Sequence, residues 1–194
     1  MKHASLVVLI AALSSGSALA QTRSGSDVQR DVNQQQRIQQ GLKSGQLNTQ
    51  EAGRLEREQQ IINRSEAEAM KDGKVSAQEQ QKINREKYHA SQDIYRQKHD
   101  TQIGNAKSAS SQRMQADVGR NITQQKRIQQ GMQSGHLTNG EAAMAEAGQA
   151  HNAHREANAA YNGRVSAADQ ARVQGGQDKT SRGVYRKKHN ARNK

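Results

Sequence analysis

The chain states most of its sequence twice. Residues 27–104 align without a gap onto residues 117–194 at a fixed offset of 90, and 30 of the 78 paired positions are identical. Arg37-Ile-Gln-Gln-Gly41 returns as Arg127-Ile-Gln-Gln-Gly131, and Gly73-x-Val-Ser-Ala77 as Gly163-x-Val-Ser-Ala167. Tyr95-Arg-x-Lys-His99 returns as Tyr185-Arg-x-Lys-His189. A period this long marks a duplicated, domain-like unit rather than a short solenoid repeat.

The punctuation inside each copy predicts three helices. In the first, Val28, Val32, Ile38 and Leu42 keep roughly to one helical face, and Ser44-Gly45 ends it, glycine being favoured at a left-handed helix terminus. Leu47 and then Asn48-x-x-Glu51 follow, a capping-box arrangement that opens a second helix through Leu55, Ile61, Ile62 and Met70. Asp72-Gly73 stops that helix, and Val75 with Ser76-x-x-Glu79 opens a third carrying Ile83, Ala90, Ile94 and Tyr95. The second copy repeats the device at Ser134-Gly135, Leu137 and Thr138-x-x-Glu141, and again at Asn162-Gly163, Val165 and Ser166-x-x-Asp169. The expectation is all-α, with two homologous three-helix units after a signal peptide.

Residues 1–20 read as that signal peptide: a basic start at Lys2, an apolar run Leu6–Leu13 too short to span a bilayer, and an Ala18-Leu-Ala20 cleavage site. A polar leader (21–26), a first repeat (27–103), a small polar linker (104–116) and a second repeat with a basic tail (117–194) complete the expected order. The implied location is the bacterial periplasm or the secreted space, with cleavage after Ala20. Cysteine is absent, which removes disulfides, thiol chemistry and cysteine-held zinc. Proline is absent too, so long helices are permitted. With no Phe or Trp, and only 23 Val, Ile, Leu and Met after residue 20, the cores should be thin, and dimerisation would help them.

Charge separates the copies. Residues 27–104 hold 13 basic and 12 acidic groups, net +1, whereas residues 117–194 hold 13 basic and 6 acidic, net +7. Lys179, Arg182, Arg186, Lys187, Lys188, Arg192 and Lys194 follow the last acid, Asp178. Such a run favours a polyanion or an anionic envelope surface. Export argues against an intracellular nucleic acid as partner.

The loop at residues 68–79 resembles an EF-hand. With Gly73 at the sixth position, Glu68, Asp72, Ser76 and Glu79 fall at ligand positions one, five, nine and twelve. The resemblance implies calcium as the one cofactor to expect. Position three is Met70 here and Leu42, Met132 and Ala160 in the other loops, so none offers an oxygen there. A glycine-terminated helical hairpin with a capped second helix explains the same residues without an ion.

His151-x-x-His154 lies one helical turn apart, a spacing that suits a metal, but without the Glu of the H-E-x-x-H motif. The four Tyr read as amphipathic, with buried rings and wet hydroxyls. No nucleophile elbow, Gly-rich phosphate loop or Cys nucleophile is present, and the acids read as caps or polar-face residues, so no enzyme is expected.

Leu47-Asn-Thr-Gln-Glu51, Val75-Ser-Ala-Gln-Glu79, Leu137-Thr-Asn-Gly-Glu141 and Val165-Ser-Ala-Ala-Asp169 resemble the L-T-x-x-Q motifs of Spy-type periplasmic chaperones. The chain also resembles uncharacterised secreted helical repeat proteins of proteobacteria. These resemblances imply an exported, non-enzymatic helical binding protein, acting in envelope stress on unfolded clients or on polyanions. Two alternatives stand beside it: an EF-hand-like calcium or metal sensor, and a structural envelope component held by its basic tail.

Overall fold

Four glycines set the path of the chain. Gly45, Gly73, Gly135 and Gly163 have φ between 73° and 85°, the left-handed region, and each follows a helix end. The computed structural model describes residues 15–190, with side chains from residue 26, and these residues form six helices and no strand. They are α1 (Ser15–Ser44), α2 (Thr49–Ala69), α3 (Ala77–Lys98), α4 (Ala109–Gln133), α5 (Asn139–Ala159) and α6 (Ala167–Lys188). Asn48, Ser76, Thr138 and Ser166 each complete a capping box with Glu51, Glu79, Glu141 and Asp169. The protein is all-α. None of these helices is long and apolar enough to cross a membrane.

Two boundaries differ from the reading of the sequence. Residues 21–26 are helical, inside α1, and most of the expected signal segment (1–14) lies outside the described residues. The expected linker is largely ordered. Gly104 N–H donates to Gly45 O at 2.8 Å, and Ser108 caps α4 by accepting from Ser111 N–H. Met114, which looked aperiodic, is 1 % exposed because α4 carries it into the core.

The helices pack closest between the two copies. α1 lies antiparallel to α4, and α2 antiparallel to α5. The first pair is tied by Gln39 to Gln115 O (3.1 Å) and by Gln129 to Gln29 (2.9 Å). The second is tied by Gln50 to Tyr161 O (2.9 Å) and by Arg57 to Asn158 (3.3 Å). α3 flanks α1 and α2, and α6 flanks α4 and α5.

The core is accordingly exchanged. One apolar cluster joins Ile38, Leu42, Leu47, Leu55 and Ile94 to Val118, Ala160 and Val165. The other joins the equivalent Ile128, Met132, Leu137, Ala145 and Val184 to Val28, Met70 and Val75. Each cluster thus takes one part from each copy, related by an approximate two-fold axis. This is how so few apolar residues enclose a core: neither copy has to close its own. Gly41 and Gly131 are kept in both copies because a leucine lies on each. A Cβ at Gly41 would stand 2.6 Å from Leu47, and one at Gly131 2.5 Å from Leu137.

Candidate functional site

Between the two apolar clusters lies a layer of buried polar groups, and it contradicts the expectation that the acids are caps or polar-face residues. Asp31, Glu56, Glu66, Asp117, Glu146 and Glu156 are all buried. Each lies on the polar side of its own helix and is met by residues distant in the sequence, Asp31 and Glu66 by Lys87 of α3.

The layer has two equivalent cells. In the first, Lys87 Nζ donates to Asp27 O at 2.5 Å and pairs with Asp31 at 2.8 Å and Glu66 at 2.6 Å. In the second, Gln177 Nε2 makes the three equivalent contacts, to Asp117 O, Asn121 Oδ1 and Glu156 Oε1, each at 2.9 Å. Around them Gln35 donates to Glu56 and Gln125 to Glu146, both at 3.0 Å. The second cell has no cation. Glu56 stands beside Glu156 across the α2–α5 interface, and its charge, after burial, raises the Glu156 pKa.

Burial dominates the acidities. It pushes Glu56 up to about 7 against the hydrogen bonds from Gln35 and Glu156. It pushes Asp117 up to about 7, and Glu146 to about 8 with the help of the Glu66 charge. Glu156 is raised by burial and then by Glu56 and Asp117, and Asp31 by burial and then by Glu66. Burial alone would disfavour the Lys87 ammonium, but the Asp31, Glu66 and Asp27 charges together outweigh it and raise its pKa. Among the described residues the buried side-chain atoms without a hydrogen-bond partner are all oxygens, including Glu146 Oε1 and Gln125 Oε1. The layer is short of donors, and the raised pKa values favour carboxyls that keep a proton and so can donate.

The predicted calcium residues do not converge on a common centre. Glu68 sits in the last turn of α2 and pairs with Arg64 at 3.2 Å. Asp72 Oδ1 accepts from Lys74 N–H, while Ser76 and Glu79 are engaged in the cap of α3. Among the described residues no group of three or more metal-binding side chains comes together. His151 and His154 are exposed on α5 and line an open groove against α2.

The basic run is brought together on α6. Lys179, Arg182 and Arg186 are exposed and one or two turns apart, Lys187 and Lys188 are half-buried, and Arg192 and Lys194 lie outside the described residues. Arg182 and Arg186 flank a recess of about 420 Å³ with Tyr185. The tyrosine rings are not buried: Tyr185 is 63 % and Tyr95 56 % exposed, stacked on His189 and His99 with centroids 4.2 and 4.1 Å apart. The apolar positions beside them, Val184 and Ile94, take the core instead.

On α3 the equivalent face is balanced. Glu86 pairs with Lys82, and Asp93 with Arg96. On α6 the positions of those acids are Gly176 and Gly183. The cation at the Lys82 position, Arg172, turns to Asp169 at 3.4 Å. No protein-family model, curated protein or solved structure matches the chain.

Proposed function

We propose that the protein is an exported, non-enzymatic binding protein that holds polyanions on α6. One observation carries this reading: α3 and α6 share their scaffold, but α6 has Lys179 and Arg182 where α3 has His89 and Gln92, and glycines where α3 has Glu86 and Asp93. α3 holds five basic and three acidic residues, α6 six basic and two, so the net charge rises from +2 to +4. The one buried base on α3, Lys87, has a glutamine in its place on α6, where Lys179, Arg182 and Arg186 face solvent. Repeated phosphates suit an exposed cationic row more than a single anion does, because each contact releases counterions. The reading includes two homologous three-helix units and a cleaved leader at residues 1–20.

The test uses a fluorescent single-stranded oligonucleotide as a phosphate polymer, titrated by anisotropy at several salt concentrations. The triple variant Lys179→Ala, Arg182→Ala, Arg186→Ala should bind at least tenfold more weakly. Its salt slope should fall by about 2, as expected for three lost phosphate contacts. Alanine at the equivalent α3 positions His89, Gln92 and Arg96 should change little. Equal losses from both helices would show that net charge, not the α6 face, governs binding.

A further inference from the structure

A groove lies between α2 and α5 where the second copy departs from the first. It encloses about 730 Å³, within the range of small-molecule sites. Its floor is Ala143 and Ala150, and its walls are Ala67, Ala147 and the 63 %-exposed Met144. Two substitutions between the copies open it. Met144 and Ala147 stand where Arg54 and Arg57 stand in the first copy. At that end Arg57 reaches Asn158 at 3.3 Å and Gln50 reaches Tyr161 O at 2.9 Å, so long polar side chains bridge the two helices. At this end an alanine and a methionine leave an apolar trough.

The rim carries Arg64 on α2, Lys71 just past the C-terminal end of that helix, and His151 and His154 opposite on α5. The acid in the lining, Glu68, is already paired with Arg64. Gly140, in the first turn of α5, adds an open helix start beside Lys71, where the helix dipole favours negative charge. Glu141 is turned away into the Thr138 cap and toward Asn190. Along α2 the trough runs about 12 Å from Gln60 to Glu68 at 1.5 Å per residue, and Lys71 follows just beyond the helix end. It has an apolar floor of alanines along α5, a polar rim, and the Lys71 ammonium at one end.

We infer that this groove binds a single-chain carboxylate amphiphile, the aliphatic tail along Ala143, Ala147 and Ala150 and the carboxylate at Lys71. The site is separate from α6 and does not depend on polyanion binding. Charge complementarity selects the occupant. A neutral or cationic chain would gain the apolar floor but not the rim, and a bare phosphate the reverse.

The test is calorimetric titration of the full chain with dodecanoate below its micellar concentration, beside dodecyltrimethylammonium. Dodecanoate should saturate at one equivalent and bind at least tenfold more tightly than the cationic chain. Ala147→Arg copies Arg57 of the first copy, so the fold has a precedent for it, and it should weaken dodecanoate at least tenfold. Lys71→Glu should weaken it comparably, and Arg57→Ala at the closed end should leave it unchanged. Three results would overturn the inference: no saturable binding, equal binding of the two chains, or an Ala147→Arg variant that binds as the parent does. A parent dimer that Ala147→Arg converts to monomer in sedimentation would assign the groove to a second copy and overturn it equally.

Discussion

The two buried polar cells have the same shape and different charge. Asp31, Glu66 and Lys87 in the first become Asn121, Glu156 and Gln177 in the second, yet the hub keeps all three contacts. An ammonium brings three donors and a charge, whereas an amide brings two donors and none. Replacing the hub therefore required the Asp-to-Asn change beside it, and it left Glu156 facing Glu56 with no cation. Where the first cell has the Lys87 ammonium, the second has carboxyls whose raised pKa values favour the neutral, proton-bearing form. The geometry of the layer is what the duplication preserves, and its charge can be supplied by a lysine or by a proton.

The comparison is broken most severely by removing Lys87 alone. Lys87→Met strands Asp31 and Glu66 with no compensating charge, and loss of one partner from a buried ion pair costs about 3–5 kcal/mol. Importing the other cell's solution should rescue most of this. The double variant Lys87→Gln, Asp31→Asn is expected within about 2 kcal/mol of the parent in urea unfolding, since it pairs an amide with an amide. A double variant no more stable than Lys87→Met would show that the cells are not interchangeable.

Acidity provides the next largest effect. The folded-state pKa values of Glu56, Asp117 and Glu146 are raised to about 7, 7 and 8. The folded chain therefore keeps protons that the unfolded chain has released between about pH 4.5 and 8. Fewer protons bound in the unfolded state means that unfolding free energy falls as pH rises. The stabilisation from these groups is complete below their unfolded values and lost through pH 7–8. For Glu56, a rise from 4.5 to about 7 corresponds to about 3 kcal/mol. Urea midpoints should drop from pH 5 to pH 8.5. Glu156→Gln should flatten that slope by giving Glu56 a permanent donor. A midpoint that rises with pH would contradict protonated carboxyls in the layer.

The glycines sharpen the comparison at smaller scale. Gly41→Ala drives a methyl group into Leu47, and overpacking of this kind costs about 1–3 kcal/mol, partly offset by better helix propensity. Gly131→Ala should behave the same way against Leu137. Gly175→Ala, with nothing within 4 Å, should instead stabilise by up to about 1 kcal/mol. Thermal melts of the three variants give the signs directly.

Local chemistry was the legible part of this fold. The glycine stops and the Asn48, Ser76, Thr138 and Ser166 caps act within a few residues, so spacing alone reveals them. The buried layer was illegible for the opposite reason. Gln34, Glu56 and Glu66 lie on the polar side of their own helices, and they become core only when residues far along the chain, Lys87 and Ser91 on α3 and Glu156 on α5, close over them. A signal existed nonetheless. The acid positions kept in both copies are 27/117, 51/141, 56/146, 66/156 and 79/169. Two of these pairs are caps, and the other three are buried. Acids elsewhere were lost from the second copy. The groove had a comparable trace, Met144 and Ala147 in place of two arginines, but its meaning required knowing that α2 and α5 lie side by side. His151 and His154 drew attention for their spacing, whereas their neighbours opened the groove.

The smallest perturbation separates the two outer helices. Gly183→Asp gives α6 the acid that α3 carries as Asp93, three residues before Arg186, as Asp93 stands to Arg96. The position is open, with nothing within 4 Å of an added Cβ, so the fold should accept it. Replacing a helical glycine and adding an ion pair both favour the folded state, the pair by only a few tenths of a kcal/mol. Binding should move the other way, because the new carboxylate neutralises one of the three exposed cations. Oligonucleotide affinity should fall about threefold to tenfold at low salt, and the difference should shrink as salt screens the pair. The reverse exchange, Asp93→Gly on α3, should not create a comparable site, since Gln92 and His89 stand where α6 has Arg182 and Lys179. If Asp93→Gly alone raised affinity as much as Gly183→Asp lowered it, the missing acids rather than the added cations would be what distinguishes α6.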